Sequence, residues 1–85
     1  MDKNKIRDYI LENFLFTDDQ SKLSNDDSFL DMGIIDSTGV LEIIVFLKKE
    51  FGIQVLDEEM IAENMDSVNN IVNYIETKTA INASN

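Results

Sequence analysis

Neither cysteine nor histidine occurs among the 85 residues. Without cysteine there is no disulfide scaffold and no thiolate nucleophile. Without histidine the usual proton shuttle near neutral pH is gone, and the zinc ligands that both side chains supply are absent as well. Bases are scarce: seven Lys and Arg stand against seventeen Asp and Glu, a net charge of −10. Affinity for nucleic acid rests largely on Lys and Arg meeting phosphates, so nucleic acid and anionic membrane surfaces are excluded and basic proteins are favoured as partners. Long apolar runs are missing too. Lys3, Lys5, Arg7, Asp8 and Glu12 interrupt residues 1–15, leaving no stretch for a signal peptide or membrane insertion. A cytoplasmic protein is expected. A chain of this length builds one modest core, but hardly the walls and lid of an enclosed active site, so a non-catalytic role is expected.

What is present is helical periodicity. Ile6, Ile10 and Phe14 recur every four residues, with Tyr9 beside them, and predict an amphipathic helix over about 2–15. Residues 16–36 lose that period and carry turn formers, among them Asp18, Asp19, Ser24, Asn25, Asp26, Asp27 and Gly33. A connection this long is normally functional. Leu23, Phe29, Leu30, Met32, Ile34 and Ile35 are expected to pin it across the helices, with room for a short helical turn of its own.

The second helix is expected over 37–51, opening near Asp36 or Ser37 and ending at Lys48, Lys49 and the left-handed cap Gly52. Ile53, Val55 and Leu56 alternate, but one strand without a partner cannot satisfy its backbone, so they read as an extended connector. A short third helix is expected over 57–65, with Asp57, Glu58 and Glu59 in its first turn. Val68, Ile71, Val72 and Ile75 form an unbroken stripe for a last helix over 67–79, and 80–85 read as a frayed tail. The fold expected is all-α: a small irregular four-helix bundle, one domain over 1–79, with a long loop between the first two helices. The acid excess is uneven. Residues 16–36 and 57–66 each carry −5, and the other segments balance to zero. Two solubilising faces or two faces that steer a basic partner both fit that distribution.

The informative stretch is Gly33-Ile34-Ile35-Asp36-Ser37-Thr38-Gly39-Val40-Leu41-Glu42, where a long loop delivers a serine to a helix start. Unpaired N–H groups there carry partial positive charge and would stabilise a phosphodiester on Ser37. A plain N-cap is the bland alternative. Gly39 inside the first turn costs about 1 kcal/mol relative to alanine. That implies either close access to the backbone or tight packing between helices. Asp36 suits a divalent metal held for a modifying enzyme, or simply a cap; no metal site of the chain's own is expected.

On these residues the sequence resembles the acyl, peptidyl and D-alanyl carrier proteins, whose attachment serine follows an aspartate after a glycine and two apolar residues. The resemblance spans about 3–79 and includes the loop lengths, Phe51-Gly52-Ile53, the acidic third helix and the Ser67-Val68 start. It implies a 4′-phosphopantetheine arm on Ser37, with Asp36 as the motif aspartate. The arm would be placed by a phosphopantetheinyl transferase with magnesium assisting, and would hold an acyl or aminoacyl group as a thioester. An acyl- or aminoacyl-loading ligase and downstream transferases or synthases are the implied partners. Thr38 departs from the leucine or methionine usual after the serine, and the second helix is neutral with only Glu42 near its start. These departures point to a specialised biosynthetic pathway rather than the housekeeping fatty-acid carrier.

Thr38, Val40, Glu42, Ile61 and Met65 are the candidate partner-recognition residues. Val40, Leu56, Met60, Ile61 and Met65 suit either a groove for a partner or an acyl chain, or ordinary core. An unmodified acidic helical adaptor or inhibitor is the rival reading, and Ser37 discriminates the two. A calcium-binding loop is excluded: starting it at Asp26 puts Asp31 where glycine is needed and Ser37 where the bidentate glutamate belongs. Both ends read as complete, and no long exposed apolar stripe remains once the core is assigned, so a free-standing monomer is expected.

Overall fold

The computed structural model describes residues 3–83, with side chains through residue 80. It is all-helical, with no strand among the described residues. Helix α1 spans Lys3–Ile10 and widens over Leu11–Leu15 into a π-helical turn, which Phe16 closes in the left-handed region at φ 55°. The wider turn corrects the expected uniform helix over 2–15, whose first residue lies outside the described ones. An added residue per turn rotates the side chains beyond it about the helix axis. Ile6, Ile10 and Leu11 therefore fill the core, while Phe14 is only half-buried.

The long loop is ordered, with a 3₁₀ turn over Gln20–Lys22 that Asp19 caps by accepting the Ser21 N–H at 3.0 Å. Leu23, Phe29 and Ile35 are buried anchors. Leu30 and Met32, also expected to pin the loop, are exposed; the tight turn through Gly33, at φ 69°, points them outward. Polar fasteners do the rest. Arg7 of α1 donates to Asn25 Oδ1 at 2.6 Å, to the Leu23 carbonyl at 2.7 Å, and to the carbonyl and side chain of Gln20 at 2.8 and 3.1 Å. At the loop's far end Asp66 accepts from Ser28 Oγ and, at 2.9 Å, from the Leu30 N–H.

Helix α2 spans Ser37–Phe51 and ends as expected, Gly52 at φ 66° donating back to the Lys48 carbonyl at 3.0 Å. The connector is extended and buries Ile53 and Val55, while Leu56 faces solvent. The third helix is not continuous over 57–65. A 3₁₀ turn over Asp57–Glu59 and the short α3, Ala62–Met65, flank an extended Ile61. Glu59 closes the start of the first turn, its carboxylate folding back to accept the Leu56 N–H at 2.9 Å, and the break comes where Met60 and Ile61 leave helical conformation, Ile61 at φ −122° and ψ 156°. Ser67 caps α4 by accepting the Asn70 N–H at 3.0 Å. Helix α4 runs Val68–Ala83, past the expected end at 79, because no glycine or proline stops it; residues 84–85 of the expected frayed tail lie outside the described residues.

Val68, Ile71, Val72, Tyr74 and Ile75 of α4 form the spine of the core, packed on α1 and α3. Stacking of Tyr9 on Phe46, centroids 3.9 Å apart, ties α1 to α2. No helix among the described residues is long and apolar enough to cross a membrane.

Candidate functional site

Asp36 and Ser37 divide the start of α2 between them. Asp36 is the cap, accepting the Gly39 N–H on Oδ1 at 2.8 Å. Ser37 is therefore the first helical residue, exposed, with its hydroxyl in no hydrogen bond among the described residues. The Ser37 and Thr38 N–H groups likewise meet no acceptor there and point positive charge out of the helix end. Gly39 is explained by packing rather than by ligand access. A Cβ on it would sit 2.5 Å from Cγ2 of buried Ile35 and 3.2 Å from the Phe14 ring.

Beside Ser37 opens an apolar cleft of about 250 Å³. Val40, Leu41 and Ile44 form its α2 wall, Phe29 and Leu30 its loop wall, and Met60, Ile61 and Met65 the wall opposite. Ser37 lies on its margin with Asp66, which is already engaged with the loop. Of the expected recognition residues, Val40, Ile61 and Met65 meet here, with Met65 fully buried. Thr38 and Glu42 do not. They turn to a shallow groove on the α1 side of α2 with Tyr9, Leu41, Val45 and Phe46. Leu41 and Val45, 56% and 65% exposed, give that groove an apolar floor, with Glu42, Lys49 and Glu50 along its edge. Tyr9 donates its hydroxyl to the Glu42 carbonyl at 3.1 Å; burial, then the Glu42 charge, push its pKa up.

Leu41 borders both clefts; its four-residue spacing from Ser37 marks it as a neighbour of the serine on α2, though it does not mark the clefts themselves. Arg7 and the α4 contacts of Glu59 carried no comparable signal, since those partners are 13 to 19 residues away. Glu59 accepts from Lys78 Nζ at 2.5 Å and from the Tyr74 hydroxyl at 3.0 Å. The Lys78 bond, then the Leu56 N–H, lowers the Glu59 pKa, and the same bond raises that of Lys78. Burial, then the bond to Glu59, raises that of Tyr74. The described residues contain no group of acids that could hold a metal ion.

A family profile described as "Phosphopantetheine attachment site" matches residues 4–75. The chain is 36% identical over 75 residues to an acyl carrier protein of Clostridium acetobutylicum, covering 88% of this chain and 92% of that one. Acyl carrier proteins of Buchnera aphidicola and Exiguobacterium sibiricum are 39% and 38% identical, over 69% and 71% of this chain and 71% and 73% of theirs.

Proposed function

Because the chain belongs to the phosphopantetheine-attachment family, we propose that it is an acyl carrier protein whose Ser37 hydroxyl takes the 4′-phosphopantetheine arm. The observation that carries this reading is the exposed, unengaged Ser37 hydroxyl at the first position of α2, on the margin of an apolar cleft. The surroundings fit the group. The Ser37 and Thr38 N–H groups and the positive end of α2 suit its phosphodiester. When bound, the arm supplies a thiol that carries an acyl or aminoacyl group as a thioester. The chain's own residues do no bond-making in this reading. Ser37 anchors, Asp36 holds the helix start rigid, and Val40, Leu41, Ile61 and Met65 exclude water from an apolar cargo. Tethering raises the cargo's effective concentration at successive enzymes.

Several acids of the two acidic segments serve the fold: Asp19, Asp26, Asp27, Asp36, Glu59 and Asp66 each accept hydrogen bonds. Exposed Asp18, Asp31, Asp57, Glu58 and Glu63 remain to draw a basic transferase or ligase. The neutral α2, with Thr38 after the serine and Leu41 and Val45 outward, supports partners that read an apolar face and hence a specialised pathway.

Purified protein incubated with coenzyme A, magnesium and a broad-specificity phosphopantetheinyl transferase should gain one arm by intact mass, and Ser37→Ala none. A wild type left unmodified by several transferases would transfer support to the unmodified adaptor.

A further inference from the structure

The segment between the two halves of the broken third helix forms one wall of the cleft, and its tether lies on the side away from Ser37. Met60 and Ile61 line the cleft. The residue before them, Glu59, collects three donors on one carboxylate oxygen: Lys78 Nζ at 2.5 Å, the Leu56 N–H at 2.9 Å and the Tyr74 hydroxyl at 3.0 Å. Tyr74 and Lys78 stand four residues apart on α4 and so reach Glu59 from one helical face. A charge-assisted bond of this kind is stronger than a neutral one.

Apart from Met60, which rests half-buried against the core, the segment is held by polar contacts. A pocket of about 380 Å³, lined by Glu59, Glu63 and Asn64 on one side and Tyr74 and Lys78 of α4 on the other, opens beside the Glu59 bonds. Its main-chain bonds lie at its two ends: the Glu59 and Met60 N–H groups donate back into the 3₁₀ turn at 2.9 and 3.2 Å, and the Ile61 carbonyl accepts from the Asn64 and Met65 N–H groups at 3.0 and 3.2 Å. Asn64 Nδ2 adds a bond to the Glu59 carbonyl at 2.9 Å. The cleft it closes, about 250 Å³, lies below the usual range of roughly 300–1,000 Å³ for ligand pockets.

We propose that Lys78 and Tyr74, acting through Glu59, are positioning residues that hold the Met60–Ile61 wall toward α2 and so limit the size of acyl group the cleft admits. This rests on the carrier reading above. Lys78→Met and Tyr74→Phe keep bulk and remove one donor each. In the unmodified protein, hydrogen exchange followed by NMR should quicken about tenfold at the Leu56, Glu59 and Met60 amides, the expected effect of losing one strong bond. The Ile43 and Leu47 amides of α2 should keep their rates. No change at 56–60, or equal acceleration throughout the chain, overturns the proposal.

A phosphopantetheinyl transferase then moves acyl-phosphopantetheine from acyl-coenzyme A of increasing chain length onto Ser37, releasing adenosine 3′,5′-bisphosphate, and the rate of thioester cleavage by hydroxylamine is measured. Protection should persist to longer chains in the variants than in wild type; identical length profiles overturn the proposal. Failure of Ser37 to accept an arm would overturn the carrier reading and with it the cargo role. The exchange measurement needs no arm and still decides whether the latch holds the wall.

Discussion

At Gly39 two effects of opposite sign meet. Alanine there would gain about 1 kcal/mol of helix propensity. Its Cβ would also stand 2.5 Å from Ile35 Cγ2, a branched side chain that is itself buried. Overpacking of this kind costs about 1–3 kcal/mol. The second effect should win. Gly39→Ala is expected to lower the thermal midpoint by about 4–8 °C per kcal/mol lost, read by circular dichroism. A midpoint at or above wild type would mean that Ile35 moves aside at no cost. Asp36 and Ser37 could both be named as cap candidates from composition. Which one caps was decided by geometry, since only Asp36 reaches the Gly39 N–H and Ser37 is thereby left outward.

At the scale of elements, fasteners of distant origin decide where the loop and the third helix lie. Arg7→Met removes four hydrogen bonds from the segment 20–25 while keeping an unbranched stem. The expected loss is on the order of 2 kcal/mol in urea unfolding, because the bonds are to a charged group but do not add independently. Trypsin should also cut after Lys22 faster than in wild type. Unchanged cleavage would show that Leu23 and Phe29 hold the loop alone.

The Glu59 latch adds a pH dependence whose sign is set by the two shifts. Glu59 is held below its ordinary value of 4.5, so its contribution is present above that pH and is lost as pH falls through the folded value. Lys78 is held above its ordinary 10.5, so its contribution is full below that pH and is lost as pH rises through the folded value. Tyr74, raised above 10.0, keeps its proton in the fold and acts in the same alkaline sense. The Tyr74 ring signals in NMR should therefore be constant across the neutral range and change together with the Glu59 amide below pH 4.5. Signals that move near neutral pH would refute the assignment. The break between the two halves of the third helix was not legible in advance. The acids of residues 57–59 look alike in sequence, and only Glu59 faces α4.

For the whole molecule the governing quantity is the net charge of −10 on 85 residues. Self-repulsion opposes the compact state, and the screening length falls from about 30 Å at 0.01 M salt to about 8 Å at 0.15 M. The thermal midpoint is expected to rise over that range. A fall would mean that the Lys5–Glu50 and Lys78–Glu59 pairs outweigh the repulsion.

Much at this scale comes from local order along the chain. The helical stripes, the Gly52 stop and the Gly33-to-Ser37 motif are patterns of neighbours, and neighbours interact whatever the rest of the fold does. That suffices for an all-helical chain and for Ser37 as the residue of interest. The cleft is different in kind. Phe29 from the loop, Val40 and Ile44 from α2 and Met60 from the broken third helix become one surface only when packing on α4 brings three segments together. Thr38 and Glu42 face away from Val40 by helical period alone, two residues standing about 200° around the axis, but it is the closure that puts Lys78 within 2.5 Å of Glu59. Contacts across such separations depend on the path of the whole chain, and no periodicity in the sequence encodes them.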